Sequence, residues 1–227
     1  MKKMFISCML LLVVAACQNK QEKASVHPES EKWPDLFNSD LSDATFPEGV
    51  WTFENGVLTA SEDQCIWSKK SYDNFILDLE FKTEHETNSG VIVYCSDREN
   101  WIPNSVEIQI ADDYADQWAN SPKTWQCGAF FGHKAADTSL VKKPGEWNRF
   151  TIVCSGHNIT VALNGQQVNE IDLTKWTSAT QNPDGSEIPS WLNKPWAELQ
   201  TRGYIGLQGK HAGANIFFRN IKIQEKS

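Results

Sequence analysis

The chain has 227 residues, with 21 basic and 29 acidic side chains, a formal charge of −8, and 10 Trp and 11 Phe. That acidity argues against nucleic acid as a partner, which rewards basic patches, and against a polybasic contact with a membrane surface. The length suits one well-buried domain.

The N-terminus is built to be removed. Lys2 and Lys3 precede an apolar run over residues 4–14, interrupted only by Ser7 and Cys8, and then Ala15, Ala16 and Cys17 follow. The run is about half the roughly 20 residues that a bilayer-spanning helix needs. Its layout is that of a secretory signal: charge, hydrophobic stretch, small-residue cleavage site. Val14-Ala15-Ala16-Cys17 resembles the bacterial lipobox, which implies cleavage ahead of Cys17 and acylation of that cysteine. Residues 18–30 are rich in Gln, Lys, Glu and Ser and read as a flexible tether. The expected organisation is a signal peptide over 1–16, a lipidated tether over 17–31 and a single domain over 32–227. Loss of residues 1–16 removes Lys2 and Lys3 and no acid, leaving 19 basic against 29 acidic side chains, a charge of −10. The expected location is outside the cytoplasm, in the periplasm or at the cell surface, held to a membrane through the lipid alone.

Beyond the tether nearly every periodic segment has period two. Residues 75–82 alternate, with Phe75, Leu77, Leu79 and Phe81 on one face and Asp78, Glu80 and Lys82 on the other. Asn88-Ser89-Gly90 reads as a turn ahead of a strand over 91–94. Arg98 follows, placed to meet carboxylates or an oxyanion. Residues 106–110 alternate again. With Val106, Ile108 and Ile110 in the core, Glu107 and Gln109 stand side by side on the other face, about 7 Å apart. Asp112 and Asp113 follow at the strand end. This patch suits acid/base chemistry, hydroxyl binding, or oxygen ligation of a hard divalent cation, with Glu107 and Asp112 as candidate ligands; a solvated strand face has the same pattern. Residues 150–154, 159–163 and 167–171 are short strands joined by Gly156-His157-Asn158 and by Asn164-Gly165. Strands over 204–208 and 215–224 close the chain, and the alternation slips near Arg219-Asn220, which predicts a bulge.

Two long segments, 112–145 and 174–202, fit no strand and carry Trp118, Trp125, Phe130, Phe131, His133, Trp176, Trp191 and Trp196. Loops of this length with this many rings are expected to be ordered and to shape a cleft. His133 and His211 lie in loops and are the side chains best suited to proton transfer near neutral pH. Short strands with Gly, Asn and Pro between them predict an all-β, two-sheet sandwich or jelly roll. Cys65, Cys95, Cys127 and Cys154 remain after maturation; four cysteines allow three pairings, and the sequence leaves them open between zero, one and two bridges.

A set of ordered segments carries a resemblance. These are Leu36-Phe37-Asn38, Trp51-Thr52-Phe53-Glu54-Asn55-Gly56, Tyr72-Asp73-Asn74-Phe75, Asn88-Ser89-Gly90-Val91 and Glu107-Ile108-Gln109-Ile110-Ala111-Asp112. Cys127-Gly128-Ala129, Gly145-Glu146-Trp147-Asn148, Leu163-Asn164-Gly165, Ile205-Gly206-Leu207-Gln208 and Phe218-Arg219-Asn220-Ile221 complete it. In this order the chain, over about 33–224, resembles the 3-keto-disaccharide hydrolase family, also described as 3-keto-glucoside 1,2-lyases. The resemblance implies a concanavalin A-like jelly roll, and family members are often bacterial lipoproteins. This sequence departs from the family pattern in three places. Ser39-Asp40 replaces Gly-Lys after Leu-Phe-Asn. Phe130-Phe131 stands where an aliphatic residue and Tyr are usual. Gln208-Gly209-Lys210-His211 replaces Gln-Asp-His, shifting the histidine by one.

The implied substrate is a 3-keto-glucoside or 3-keto-disaccharide. Its C3 carbonyl acidifies the C2 proton, so a base can form an enolate and the C1 substituent then leaves by β-elimination; water added to the enone completes net hydrolysis. On this reading the candidate catalytic residues are His211, Glu107, Asp112 and His133. His211 is the first choice for acid or base, while Glu107 and Asp112 bind metal or hydroxyls. Arg98, Lys210 or a divalent cation would hold the enolate. Gln109 and Gln208 would orient hydroxyls, and Trp101, Trp118 or Trp125 would stack on the ring. The competing readings are a non-catalytic carbohydrate-binding lipoprotein and a structural partner in an envelope complex.

Overall fold

The computed structural model describes residues 27–226. The signal peptide, Cys17 and most of the tether therefore lie outside the described residues. Twelve strands follow in order: β1 (Ala44–Thr45), β2 (Trp51–Glu54), β3 (Val57–Ala60), β4 (Ile66–Tyr72), β5 (Phe75–Thr83), β6 (Asn88–Cys95), β7 (Val106–Ala111), β8 (Trp147–Ser155), β9 (Asn158–Leu163), β10 (Gln166–Asp172), β11 (Gly203–Leu207) and β12 (Ile216–Glu225). One short helix, α1 (Asp116–Ala119), sits after β7. The strands form two antiparallel sheets. One has five strands in the order β1-β4-β11-β6-β7, the other seven in the order β10-β9-β8-β5-β12-β3-β2. This is the two-sheet jelly-roll sandwich that the alternation predicts.

The core lies between the sheets. Phe75, Leu77, Leu79 and Phe81 of β5 and Phe150 and Ile152 of β8 face Val91 and Val93 of β6, Val106, Ile108 and Ile110 of β7, and Ile205 and Leu207 of β11, all fully buried. The Phe81 and Phe150 rings meet at 4.7 Å between centroids. The slip in the last strand is a register shift between Arg219 and Lys222 against β5, with Asn220 at φ 50°.

Two expectations change. Asn88-Ser89-Gly90 is not a turn; it is the first part of β6, paired with Ala111, Ile110 and Gln109 of β7. Residues 27–30, expected to belong to a flexible tether, are laid against the outer face of the seven-stranded sheet. His27 Nδ1 lies 2.7 Å from Thr151 Oγ1, the amide of Gly165 donates to His27 Nε2 at 2.7 Å, and Ser30 Oγ donates to Asp78 at 2.7 Å. They are held because Asp78 and Arg149 form an ion pair at 2.8 Å on that face, and Arg149 also donates to the Pro28 carbonyl at 2.7 Å. The strap buries Asp78 to 3% exposure. All four cysteines among the described residues are free thiols, and Cys154 is a buried small apolar group of β8.

Candidate active site

The outer face of the five-stranded sheet is the floor of a cleft. In the β6–β7 register Ile92 pairs with Glu107 and Gly90 with Gln109, so these four share the outward face. Gly206 of β11 pairs with Ile92 on one side and with Trp67 of β4 on the other. Glu107, Ile92, Gly206 and Trp67 thus form one row across four strands. Two glycines make room on this floor. A Cβ on Gly90 would stand 2.2 Å from Glu107 Oε1, and one on Gly206 would stand 2.4 Å from the Trp67 ring. Their missing side chains let the carboxylate and the indole lie flat across the sheet.

Loops wall this floor into two adjoining cavities. The first, about 290 Å³, holds Asn88, Glu107, Gln109, Trp118, Trp125 and Trp191. The second, about 600 Å³, holds Asp63, Cys65, Trp67 and Arg98. Trp101, Ile102, Gln208 and His211 belong to both. Trp125 packs on Phe131 at 5.6 Å and meets the half-exposed Trp191 edge-on at 6.1 Å. Trp101 meets Trp67 edge-on at 6.3 Å.

The polar groups on this floor are of kinds that can exchange protons and bind hydroxyls. Glu107 is half-buried and its carboxyl has no hydrogen bond among the described residues. Burial, and secondarily the charge of Asp63, pushes its pKa up from the ordinary 4.5 to about 8. His211 Nδ1 lies 2.6 Å from Asp63 Oδ2. A carboxylate accepts, so Nδ1 carries the proton and Nε2 of the neutral ring keeps its lone pair. Gln109 Nε2 donates to Asn88 Oδ1 at 2.7 Å, which leaves the Asn88 amide group as a donor. Gln208 Oε1 is buried with no partner among the described residues. A buried acceptor left unpaired costs about 1–3 kcal/mol, so a ligand hydroxyl at this point would relieve it.

Of the residues singled out from the sequence, Glu107, Gln109, Gln208, His211, Arg98, Trp101, Trp118 and Trp125 all line this cleft. Arg98 lies with its guanidinium 4.4 Å over the Tyr204 ring. Trp118 is buried and donates Nε1 to the Glu86 carbonyl at 3.0 Å, so it supports the wall more than it offers a face. Three residues are placed elsewhere. Asp112 is buried and its oxygens accept from the amides of Glu86 and Tyr114 at 3.0 and 3.1 Å, which holds the turn after β7. Lys210 donates to Asn215 Oδ1 at 3.3 Å and lines neither cavity. His133 lines a different cavity. Glu107 and Asp112 therefore do not share a donor set, and no group of three or more His, Cys, Asp or Glu placed to hold a metal occurs among the described residues. Two site residues are not singled out from the sequence. Asp63 sits 148 positions from its partner His211 and carries no local signal, and Asn88, although within a segment of the family resemblance, reads locally as a turn residue.

Comparison with known proteins follows the geometry. A family model described as a 3-keto-alpha-glucoside-1,2-lyase-like domain matches residues 32–224. No curated protein matches. A crystal structure named "Putative glycosyl hydrolase", from Parabacteroides distasonis ATCC 8503, is 56% identical, covers 86% of this chain and 100% of its own, and superposes with a TM-score of 0.84. A second glycosyl hydrolase structure of the same description and organism is 21% identical, covers 89% of this chain and 99% of its own, with a TM-score of 0.71. A Bacillus subtilis protein with a galectin-like fold, 14% identical over 85% of this chain and 93% of its own at a TM-score of 0.52, shares the architecture. The chain belongs to the family of 3-keto-alpha-glucoside-1,2-lyase-like domains.

Proposed function

We propose that this protein cleaves 3-keto-glycosides, including 3-keto-disaccharides, by abstraction of the C2 proton and β-elimination, and that it does so outside the cytoplasm as a lipoprotein anchored at Cys17. Family membership and a cleft lined by rings and amides support a carbohydrate substrate. One observation carries the mechanism. A carboxyl whose pKa burial raises to about 8 and a histidine whose Nδ1 is held by a carboxylate line the same cavity.

The division of labour follows from the proton that Glu107 retains and from the orientation of the His211 ring. His211 Nε2 takes the C2 proton, and Asp63 fixes the tautomer and balances the imidazolium that forms, as in other carboxylate–histidine pairs. The C2–H electrons form the enolate onto the C3 oxygen, where the Asn88 amide is the donor within the cavity. The enolate then collapses to the carbonyl, a C1–C2 double bond forms and the C1–O bond breaks. Protonated Glu107 delivers its proton to the departing oxygen. The products are the free aglycone and a 2-hydroxy-enone. Water adds at C1 with the proton transfers reversed, giving the 3-keto sugar. Gln208 Oε1 and Gln109 orient hydroxyls, and Trp125 and Trp191 offer an apolar corner to the ring.

Incubation of the purified domain with a 3-keto-glucoside tests this reading. Release of the aglycone, lost in His211→Ala, is the expected result. Saturable binding with no product would replace the enzyme with a carbohydrate-binding module, for which the sandwich fold is equally suited.

A further inference from the structure

A third cavity, of about 610 Å³, opens on the far side of the loop wall. It lies within the roughly 300–1,000 Å³ typical of small-molecule sites. The short turn Lys123–Trp125 separates it from the Glu107 cleft. Trp125 faces the Glu107 cleft, while Lys123 and Thr124 line the third cavity. The next strand-like segment divides in the same way, with Phe131 in the Glu107 cleft and His133 in the third cavity. Gly132 between them is bonded through its amide to the Thr124 carbonyl at 3.0 Å.

His133 is 3% exposed and stacks on Trp196 at 3.5 Å between centroids and 17° between planes. Its Nδ1 lies 2.8 Å from the Phe131 carbonyl, so Nδ1 carries a proton and donates. Its Nε2 is a buried acceptor without a partner among the described residues. Burial pushes the ring's pKa down to about 4, which keeps it neutral and accepting at physiological pH. Packing does not account for this choice. A phenyl ring would stack on Trp196 as well and would not carry an orphaned acceptor costing about 1–3 kcal/mol.

The rest of the lining complements an uncharged ring with hydroxyls. Trp176 is fixed by its Nε1 bond to Asn182 Oδ1 at 3.0 Å, and Pro122 and Pro183 add apolar surface. The rim charges balance, Lys123 and Lys134 standing against Asp184 and Glu187; Lys134 bonds Asn169 Oδ1 at 2.8 Å, Lys123 bonds Gln126 Oε1 at 3.0 Å, and Ser186 donates to Asp184 at 2.6 Å. We propose that this cavity is a second binding site, distinct from the Glu107 cleft, for an uncharged pyranose-like ring, one hydroxyl of which donates to His133 Nε2. The inference does not rest on the proposed reaction and would hold for a binding protein as well.

The probe is methyl α-glucoside, titrated into the ¹⁵N-labelled protein while the imidazole nitrogens are followed by NMR. His133→Phe keeps the stack on Trp196 and identifies the His133 signals by their loss. Glu187→Trp, at an exposed position on the rim whose side chain makes no hydrogen bond among the described residues, fills the mouth and leaves the Ser186–Asn182–Trp176 bonds in place. The expected result is a saturable shift of the His133 Nε2 resonance in the wild type and an affinity weakened at least about tenfold in Glu187→Trp, equivalent to about 1.4 kcal/mol. A His133 Nε2 resonance that does not move with the sugar, or that moves equally in Glu187→Trp, overturns the proposal.

Discussion

Glu107 owes its raised pKa to its setting: a half-buried carboxyl at the cleft floor, without a hydrogen bond among the described residues, with Asp63 as a nearby like charge. The proton it retains should appear in the pH dependence of turnover. Activity is expected to fall as pH rises through about 8, where the acid is lost, and Glu107→Gln should remove that alkaline limb while lowering kcat/KM about 10²–10⁴-fold. The same shift couples to stability. Between about pH 4.5 and 8 the folded chain holds a proton at Glu107 that the unfolded chain has released, so stability falls with rising pH across this window. Glu107→Gln is expected to flatten that part of a Tm-against-pH curve. Gly90→Ala tests the floor itself: the new Cβ would stand 2.2 Å from Oε1 and must displace the carboxyl, so turnover should drop more than tenfold. The side-by-side placement of Glu107 and Gln109 was legible because period two alone dictates it. Asp63 was not, because its role exists only once the segment before β4 meets the loop between β11 and β12, and no local pattern records a contact across 148 positions.

Among the elements, the strands with clean alternation were the legible ones. β5, β7, β8, β9 and β12 fall where the periodicity puts them, down to the slip at Arg219. β4 was invisible, since Ile66-Trp67-Ser68-Lys69-Lys70-Ser71-Tyr72 alternates poorly, its outward Trp67 being covered by the cleft instead of facing solvent as a polar residue would. Asn88-Ser89-Gly90 misleads for a related reason. Its turn-forming composition serves a strand in which Gly90 must yield space to Glu107. The polar strap over residues 27–30 looks disordered by composition, yet the buried Asp78–Arg149 pair gives it partners. Removing one member of a buried pair strands the other. Asp78→Ala is expected to cost about 2–3 kcal/mol, with Arg149 partly exposed to water, and to lower Tm by about 5–10 °C in a thermal melt; an unchanged Tm would mean the strap contributes nothing.

At the scale of the whole molecule, the two sheets separate two tasks. The strap docks on the outer face of the seven-stranded sheet, and the candidate site occupies the outer face of the five-stranded one. A chain tethered through its N-terminus would therefore be held on the side opposite its cleft, leaving the cleft open to incoming glycans. Cys17→Ala in the full-length protein is expected to move it from the membrane fraction to the soluble fraction. The central claim is that bond cleavage proceeds through the C2 proton. It is tested most directly by turnover of a 3-keto-glucoside carrying deuterium at C2. The reading above predicts aglycone release with loss of the C2 deuterium to solvent and a slowed rate relative to the protio substrate. Aglycone released with the C2 deuterium fully retained, at an unchanged rate, would contradict it.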